Sequence, residues 1–414
     1  MKNGLEAVMQ RESKLLLPTY ERFPVLFKHG EGVYLFDDSG RKYLDFLSGI
    51  GVNALGYAHP AITKTIAEQS ARLVHVSNLF YHEYQAQLAE LLTAKSDLDR
   101  AFFCNSGTEA WEGALKLARA YARHLANGSK PKTRLLVMEN SFHGRTFGAL
   151  ATTGQKKYRA PFAPLVPGVT FVRFNDVADL RKKYNDTVCA VGMETVQGEG
   201  GIRPVSQEFL ATARELTEKA KAALILDEIQ CGLGRTGRYF AYQHYGVRPD
   251  IVTVAKPLAA GLPLGAILTT NEIASAFHPG MHGTTFGGGP LACSVAVACI
   301  EELDRASLVK HAAELGSHFR DALLALKAKY VEIKEVRGLG LMIGVELTSA
   351  DLAKSIVTKM LERGIVINRT NNNVLRFLPP YLVTREHVDQ VCSALDDILG
   401  SETAASTQKK ESHE

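Results

Sequence analysis

Two side chains able to do chemistry stand at the ends of apolar runs. Ile251-Val252-Thr253-Val254-Ala255 is uncharged and largely β-branched, the composition of a buried strand, and Lys256 follows at its carboxyl end. Pro257 cannot extend such a strand, and Ala259, Ala260 and Gly261 leave room around the amine. A lysine beside so much apolar surface must meet an anion, lose its proton or react covalently. Taken alone it could equally snorkel to solvent. A second run, Ala222-Ala223-Leu224-Ile225-Leu226, ends in Asp227-Glu228 and changes the balance. Strands of this kind belong to parallel sheets covered on both faces, where ligand chemistry gathers at the carboxyl ends. Lysine and acid therefore converge on one crevice. They suit a Schiff base to an aldehyde cofactor whose ring nitrogen faces an acid, which is what pyridoxal phosphate requires.

Other motifs lie at comparable positions. The run 101–104 opens into Asn105-Ser106-Gly107-Thr108-Glu109, then a helical pattern through Ala114, Leu117, Ala118, Tyr121 and Leu125. Ser106 and Glu109 have capping-box spacing, so a strand turns directly into a helix. The first amides of that helix lack intrahelical acceptors, its dipole favours an anion, and Gly107 permits close approach. A phosphate is the natural guest. Behind the run 135–139 stands Asn140-Ser141-Phe142-His143-Gly144-Arg145-Thr146, where Phe142 can cover a flat ring and Arg145 can fork onto a carboxylate. The run 189–194 ends in Glu194, followed by Gln197-Gly198-Glu199-Gly200-Gly201, another acid and amide on the same edge. The polar loop 282–290, carrying Thr284, Thr285 and Gly287-Gly288-Gly289, could complete a phosphate cradle. Singly these are a capped helix, a packed aromatic, a solvated arginine and glycine-rich turns; their convergence carries the functional reading. Gly232-Leu233-Gly234-Arg235-Thr236-Gly237 fits a dinucleotide pattern, but no helical pattern opens behind it and Asp227-Glu228 would repel a pyrophosphate.

The elements that must position these residues alternate along the chain. Strand candidates at 101–104, 135–139, 170–174, 189–194, 224–227, 251–255 and 266–270 are separated mostly by helical stretches, the signature of a mostly parallel sheet. Residues 32–46 read as a hairpin turning at Ser39-Gly40. Beyond residue 305 a long amphipathic helix leads to strands near 333–337, 341–347 and 374–378 and helices near 350–363 and 385–399. The expected organisation is an N-terminal segment 1–55 joining the small domain, a large cofactor domain 56–305, a small α+β domain 306–400 and a disordered tail 401–414. Lys and Arg total 48 against 44 Asp and Glu, a net of +4 that gives no reason to expect nucleic acid or membrane partners. The six cysteines are scattered without metal-ligand spacing, no apolar run approaches the ~20 residues of a membrane span, and Glu6 and Glu12 suit a transit peptide poorly. A reducing cytoplasm is expected.

Segments 105–110, 142–146, 197–201, 226–237, 255–265 and 285–288 resemble, in order and spacing, the class III (ω-amino acid) aminotransferases of the fold-type I pyridoxal phosphate enzymes, from about Leu17 to Leu399. The resemblance implies an α/β fold with a mostly parallel seven-stranded sheet and a smaller α+β domain. It implies that Lys256 holds the cofactor and shuttles the proton, while Asp227 pairs with the ring nitrogen and Gln230 with the ring hydroxyl. Gly107 and Thr108 would bind phosphate, with Thr285 supplied by the second subunit of a homodimer that shares its sites. Phe142 would stack on the ring beside His143. Arg145 and Arg376 would clamp carboxylates, Glu194 would mask Arg376, and Tyr20 would lie on the substrate side. The expected donor is N-acetylornithine and the acceptor 2-oxoglutarate, in ping-pong order; ornithine, succinylornithine, 4-aminobutyrate and a lysine precursor are the alternatives, and a pyridoxal phosphate-binding protein without turnover is the rival of another class. Trp111, Thr195, Cys231 and Gly289 stand where the pattern more often has asparagine, proline, threonine and asparagine.

Overall fold

The computed structural model describes residues 4–411. A helix absent from the sequence expectation, α1 (Gly4–Leu15), opens the chain and buries none of its side chains. Then come β1 (Phe27–Glu31), β2 (Tyr34–Asp37) and β3 (Lys42–Asp45), the last two forming the expected hairpin.

The large sheet takes β4 (Arg100–Cys104), helix α2 (Gly107–Ala126), β5 (Arg134–Met138), β6 (Val169–Val172), β7 (Val188–Glu194), β8 (Ala223–Asp227), β9 (Ile251–Val254) and β10 (Gly265–Thr269), after which α3 (Pro290–Arg305) begins. Its seven strands run in the order β4-β10-β9-β8-β7-β5-β6, and only β10 is antiparallel to its neighbours. Every residue of β7, β8 and β9 is buried, which is why those runs carry no polar alternation. Successive side chains leave opposite faces: Leu224, Leu226, Val252 and Val254 enter one core, and Ala223, Ile225 and Ile251 enter the other with Trp111 and Leu117 of α2.

The remaining chain supplies α4 (Leu308–Lys329), β11 (Ile333–Leu339), β12 (Met342–Leu347), α5 (Ala350–Glu362), β13 (Ile365–Val366), β14 (Asn368–Thr370), β15 (Val374–Phe377) and α6 (Arg385–Glu411). A four-stranded antiparallel sheet has the order β11-β12-β15-β14. The N-terminal strands reach this part because β13 pairs in parallel with β3, Ile365 against Leu44. The last helix, α6, is described to Glu411, so it runs into the stretch from residue 401 expected as a tail. Residues 412–414 lie outside the described part.

Candidate active site

Strand register brings the acids together. Asp227 ends β8 opposite Glu194 on one side and Thr253 on the other. Only 3 % exposed, it has both oxygens occupied: Oδ1 accepts the Ile229 amide at 3.0 Å and Oδ2 meets Nδ1 of His143 at 2.7 Å. The imidazole stacks on Trp111, ring centroids 3.8 Å apart and 7° from parallel, and the indole N–H donates to the Thr152 hydroxyl at 2.8 Å. The carboxylate is therefore fixed in direction. Next door, β9 stops at Val254 and Pro257 bends the chain into a short 3₁₀ turn. Lys256 adopts φ +32°, strained for a side-chain-bearing residue and held by the turn around it. Burial pushes its amine below the ordinary lysine range, an effect opposed by the charges of Asp227 and Glu199.

The turn at 105–109 forms as its capping signal requires. The Ser106 hydroxyl accepts the Glu109 amide at 3.3 Å, and the Glu109 carboxylate accepts the Asn105 amide at 2.7 Å, one residue further back than in a standard capping box. The amides of Gly107 and Thr108 open α2 and have no intrahelical acceptor. Two glycines keep this corner open. A Cβ on Gly107 would come within 2.8 Å of the Ile229 side chain, and one on Gly144, at φ +130°, within 2.1 Å of the Thr108 hydroxyl. The turn, Phe142, Asp227, Gln230 and Lys256 enclose a cavity of about 420 Å³, in the size range of small-ligand sites.

The two arginines are held differently. Arg145 lines the cavity with an exposed guanidinium lying 3.9 Å over the Tyr158 ring and 5.5 Å over Phe142. Arg376 is 1 % exposed and bonds the carboxylate of Glu199. The expected mask, Glu194, does not touch it: its oxygens accept the amides of Phe142 at 3.1 Å and Gly198 at 3.0 Å, so it clasps two loops instead. Burial, aided by Asp227, pushes its pKa well above the carboxylate range. Burial also pushes the Glu199 carboxyl upward, but Arg376 outweighs it and holds the net pKa below the usual value. Tyr20 is 77 % exposed and does not line the cavity of its own chain. Thr285 is exposed on its loop and does not line this chain's own cavity; the loop is tied down through Thr284, whose hydroxyl accepts from Asn105 at 3.0 Å. The dinucleotide-like motif forms turns around a fully buried Arg235, which donates to the Leu341 carbonyl.

The aminotransferase class-III family model matches residues 17–399. The chain belongs to the class-III aminotransferases. It is 48 % identical over 390 residues to acetylornithine aminotransferase of Methanocaldococcus jannaschii, covering 94 % of this chain and 96 % of that one. With acetylornithine aminotransferase of Caldanaerobacter subterraneus subsp. tengcongensis it shares 45 % over 388 residues, 94 % and 98 % of the two chains. The crystal structure of ornithine aminotransferase from Toxoplasma gondii superposes with a TM-score of 0.93 at 32 % identity, covering 97 % of this chain and 96 % of that one. Class-III aminotransferases depend on pyridoxal 5′-phosphate, and this chain is such an enzyme. The residues present fit the group: a fixed buried carboxylate, a lysine at the same edge, and a helix start kept clear by two glycines whose Cβ atoms would fill it.

Three participants escaped the sequence reading. Tyr158 supports Arg145, and Asn368 and Thr370 of β14 contact the Arg376–Glu199 pair. Gly198 was a usable signal: a Cβ there would sit 2.3 Å from the Gln230 amide, so that glycine leaves room for the glutamine.

Proposed function

We propose that this aminotransferase takes the terminal amine of N2-acetyl-L-ornithine and passes it to 2-oxoglutarate, giving N-acetyl-L-glutamate 5-semialdehyde and L-glutamate, a step of arginine synthesis. The carrying observation is the pair of arginines, one open and one covered by Glu199. The donor has a single carboxylate, which Arg145 takes while Glu199 keeps Arg376 neutralised. The acceptor has two, and its second carboxylate displaces Glu199 from Arg376. Names of the relatives in the 41–48 % identity range support this donor.

Lys256 holds the cofactor and moves the proton at the carbon that bears the amine; its downward-shifted pKa favours a neutral, basic form. Asp227 would pair with the ring nitrogen and Gln230 with the ring hydroxyl, and Phe142 would cover the ring, with His143 holding Asp227. The amides of Gly107 and Thr108 would hold the phosphate. The bound cofactor supplies an electron sink for the carbanion at the reacting carbon. The protein works as a homodimer in which the partner subunit's Thr285 completes the phosphate site; exposed Leu79, Phe80, Tyr81 and Phe286 give that assembly an apolar surface to cover. Among the described residues no helix is long and apolar enough to cross a membrane, and all six cysteines are buried free thiols, in keeping with a reducing cytoplasm.

A half-reaction panel tests the donor. Holoenzyme is mixed with N-acetylornithine, ornithine, succinylornithine or 4-aminobutyrate, and loss of the lysine-bound cofactor's visible absorbance is followed. N-acetylornithine should react fastest. Ornithine is the second reading, favoured by the close superposition on an ornithine aminotransferase. Bleaching by ornithine or 4-aminobutyrate with none by N-acetylornithine would remove the proposal.

A further inference from the structure

The buried ion pair at the acceptor end is gripped by one edge strand. β14 pairs antiparallel with β15, and the register sets Asn368 opposite Arg376 and Thr370 opposite Val374. Oδ1 of Asn368 accepts from Nε of Arg376 at 3.1 Å. The Thr370 hydroxyl reaches the main-chain carbonyl of Glu199 at 2.9 Å and its Oε2 at 3.3 Å. One strand thus holds the cation through Asn368 and the anion through Thr370. Nη1 of Arg376 contacts the Glu199 carboxylate and, at 3.4 Å, the Gln230 amide oxygen.

A guanidinium fully buried in this way is destabilised when it loses its carboxylate, so Glu199 leaves only as another carboxylate arrives. In that exchange Nη1 changes partner, while Nε keeps its own. A guanidinium is planar with its donors in a rigid fork, so fixing Nε fixes where the other donors point. The Asn368 amide is neutral: it orients the plane without cancelling the charge that an incoming carboxylate needs. An aspartate at the same place would orient the plane and neutralise it permanently.

We infer that Asn368 is a positioning residue for the acceptor half-reaction, holding Arg376 in place while its carboxylate partner changes from Glu199 to the substrate, and that Thr370 holds Glu199 in the closed pair. The inference rests on the proposed reading of two carboxylate sites. It assigns a specificity-determining role for dicarboxylates to a strand outside the cavity wall. The donor's single carboxylate goes to Arg145, so the donor half-reaction does not depend on Asn368.

The experiment uses holoenzyme and two readouts: single-turnover kinetics of each half-reaction, and calorimetric binding of glutarate, a five-carbon dicarboxylate with no oxo group to react. Asn368→Ala should weaken glutarate binding and raise half-saturation by 2-oxoglutarate by about 10- to 100-fold, the effect of losing a hydrogen bond to a charged group, while donor constants stay within about threefold. Asn368→Asp, close in size and able to keep the contact with Nε, should impair the acceptor half at least as much. Thr370→Val should tighten glutarate binding by roughly two- to tenfold by loosening Glu199, and Thr370→Ser should restore the parent value. Unchanged glutarate affinity in Asn368→Ala, or equal losses in both half-reactions, would overturn the inference. If Asn368→Ala does not fold, as judged by thermal melting, unchanged glutarate affinity in Asn368→Asp overturns it instead. Parent enzyme that no amine bleaches would sink the proposed function itself; parent enzyme active on N-acetylornithine with Asn368 variants behaving as parent would sink only this inference.

Discussion

Lys256 combines two features that rarely meet by chance, a left-handed backbone and an amine driven toward its neutral form by burial. Local strain of this kind persists only where the surroundings impose it, here the end of β9 and the turn begun by Pro257. Lys256→Ala should lower single-turnover rates by ~10²–10⁴-fold or more and abolish the visible absorbance of the lysine-bound cofactor; retained turnover would end the assignment. Arg145 is organised otherwise, exposed and lying over Tyr158. Arg145→Ala should raise KM for the carboxylate substrates about 10- to 100-fold and leave cofactor affinity nearly unchanged, as read by titration of the cofactor-free protein. Equal KM values in variant and parent would take Arg145 out of that role. Trp111, unexpected at its position, has a physical account: stacked on His143, it fixes the ring that fixes Asp227. Type and local context alone pointed to Lys256, Asp227 and Arg145, and the fold brings the three to one cavity. Tyr158 was not, because nothing local ties it to a residue 13 positions earlier.

At the scale of elements, the corner proposed for the phosphate is a joint between the start of α2 and the loop after β5. Gly144→Ala would drive a Cβ to 2.1 Å from the Thr108 hydroxyl at a backbone angle of +130°, so cofactor affinity should fall at least ~10-fold. Equilibrium titration of the cofactor-free protein checks this, and unchanged affinity would show that the turn yields without penalty. A second joint lies behind β8, where Thr195 and Cys231 meet on one carboxylate. Glu228 accepts from the Thr195 hydroxyl at 2.7 Å, the Ala241 and Tyr242 amides at 2.7 and 3.0 Å, and the Cys231 thiol at 3.5 Å. Burial still prevails and pushes its pKa from 4.5 up to about 7. The folded protein therefore keeps a proton that the unfolded chain releases near the ordinary value. This contribution to stability is complete below pH 4.5 and is lost as pH rises through about 7. Glu228→Gln cannot titrate, so its Tm relative to the parent should climb by ~2–5 °C between about pH 5 and 8. A Tm difference that stays flat with pH would contradict this. Seven strand candidates became the seven strands of the sheet, since buried runs and turn residues are local signals. The least accurate was 170–174, observed at Val169–Val172, an edge strand whose ladder to β5 alone sets its end.

For the whole molecule, the exposed apolar residues near 79–81 and at Phe286, together with a threonine that does not line its own cavity, lead to the expectation of a dimer. Sedimentation should give twice the chain mass of 45.2 kDa, and Thr285→Ala should weaken cofactor binding about tenfold without splitting the dimer. A monomer with full cofactor affinity would rule this out. The chain's own order of residues determined the seven strands, the capped turn before α2 and the placing of Lys256 and Asp227 at strand ends, because periodicity, capping and proline act over a few positions. Which acid covers Arg376 was decided only by the folded protein. Glu199 and Arg376 are 177 positions apart, in loop and strand, and no local pattern encodes their meeting. Glu194 lost that place because the amides of Phe142 and Gly198 already occupy its oxygens, a competition that exists only once three segments are packed together.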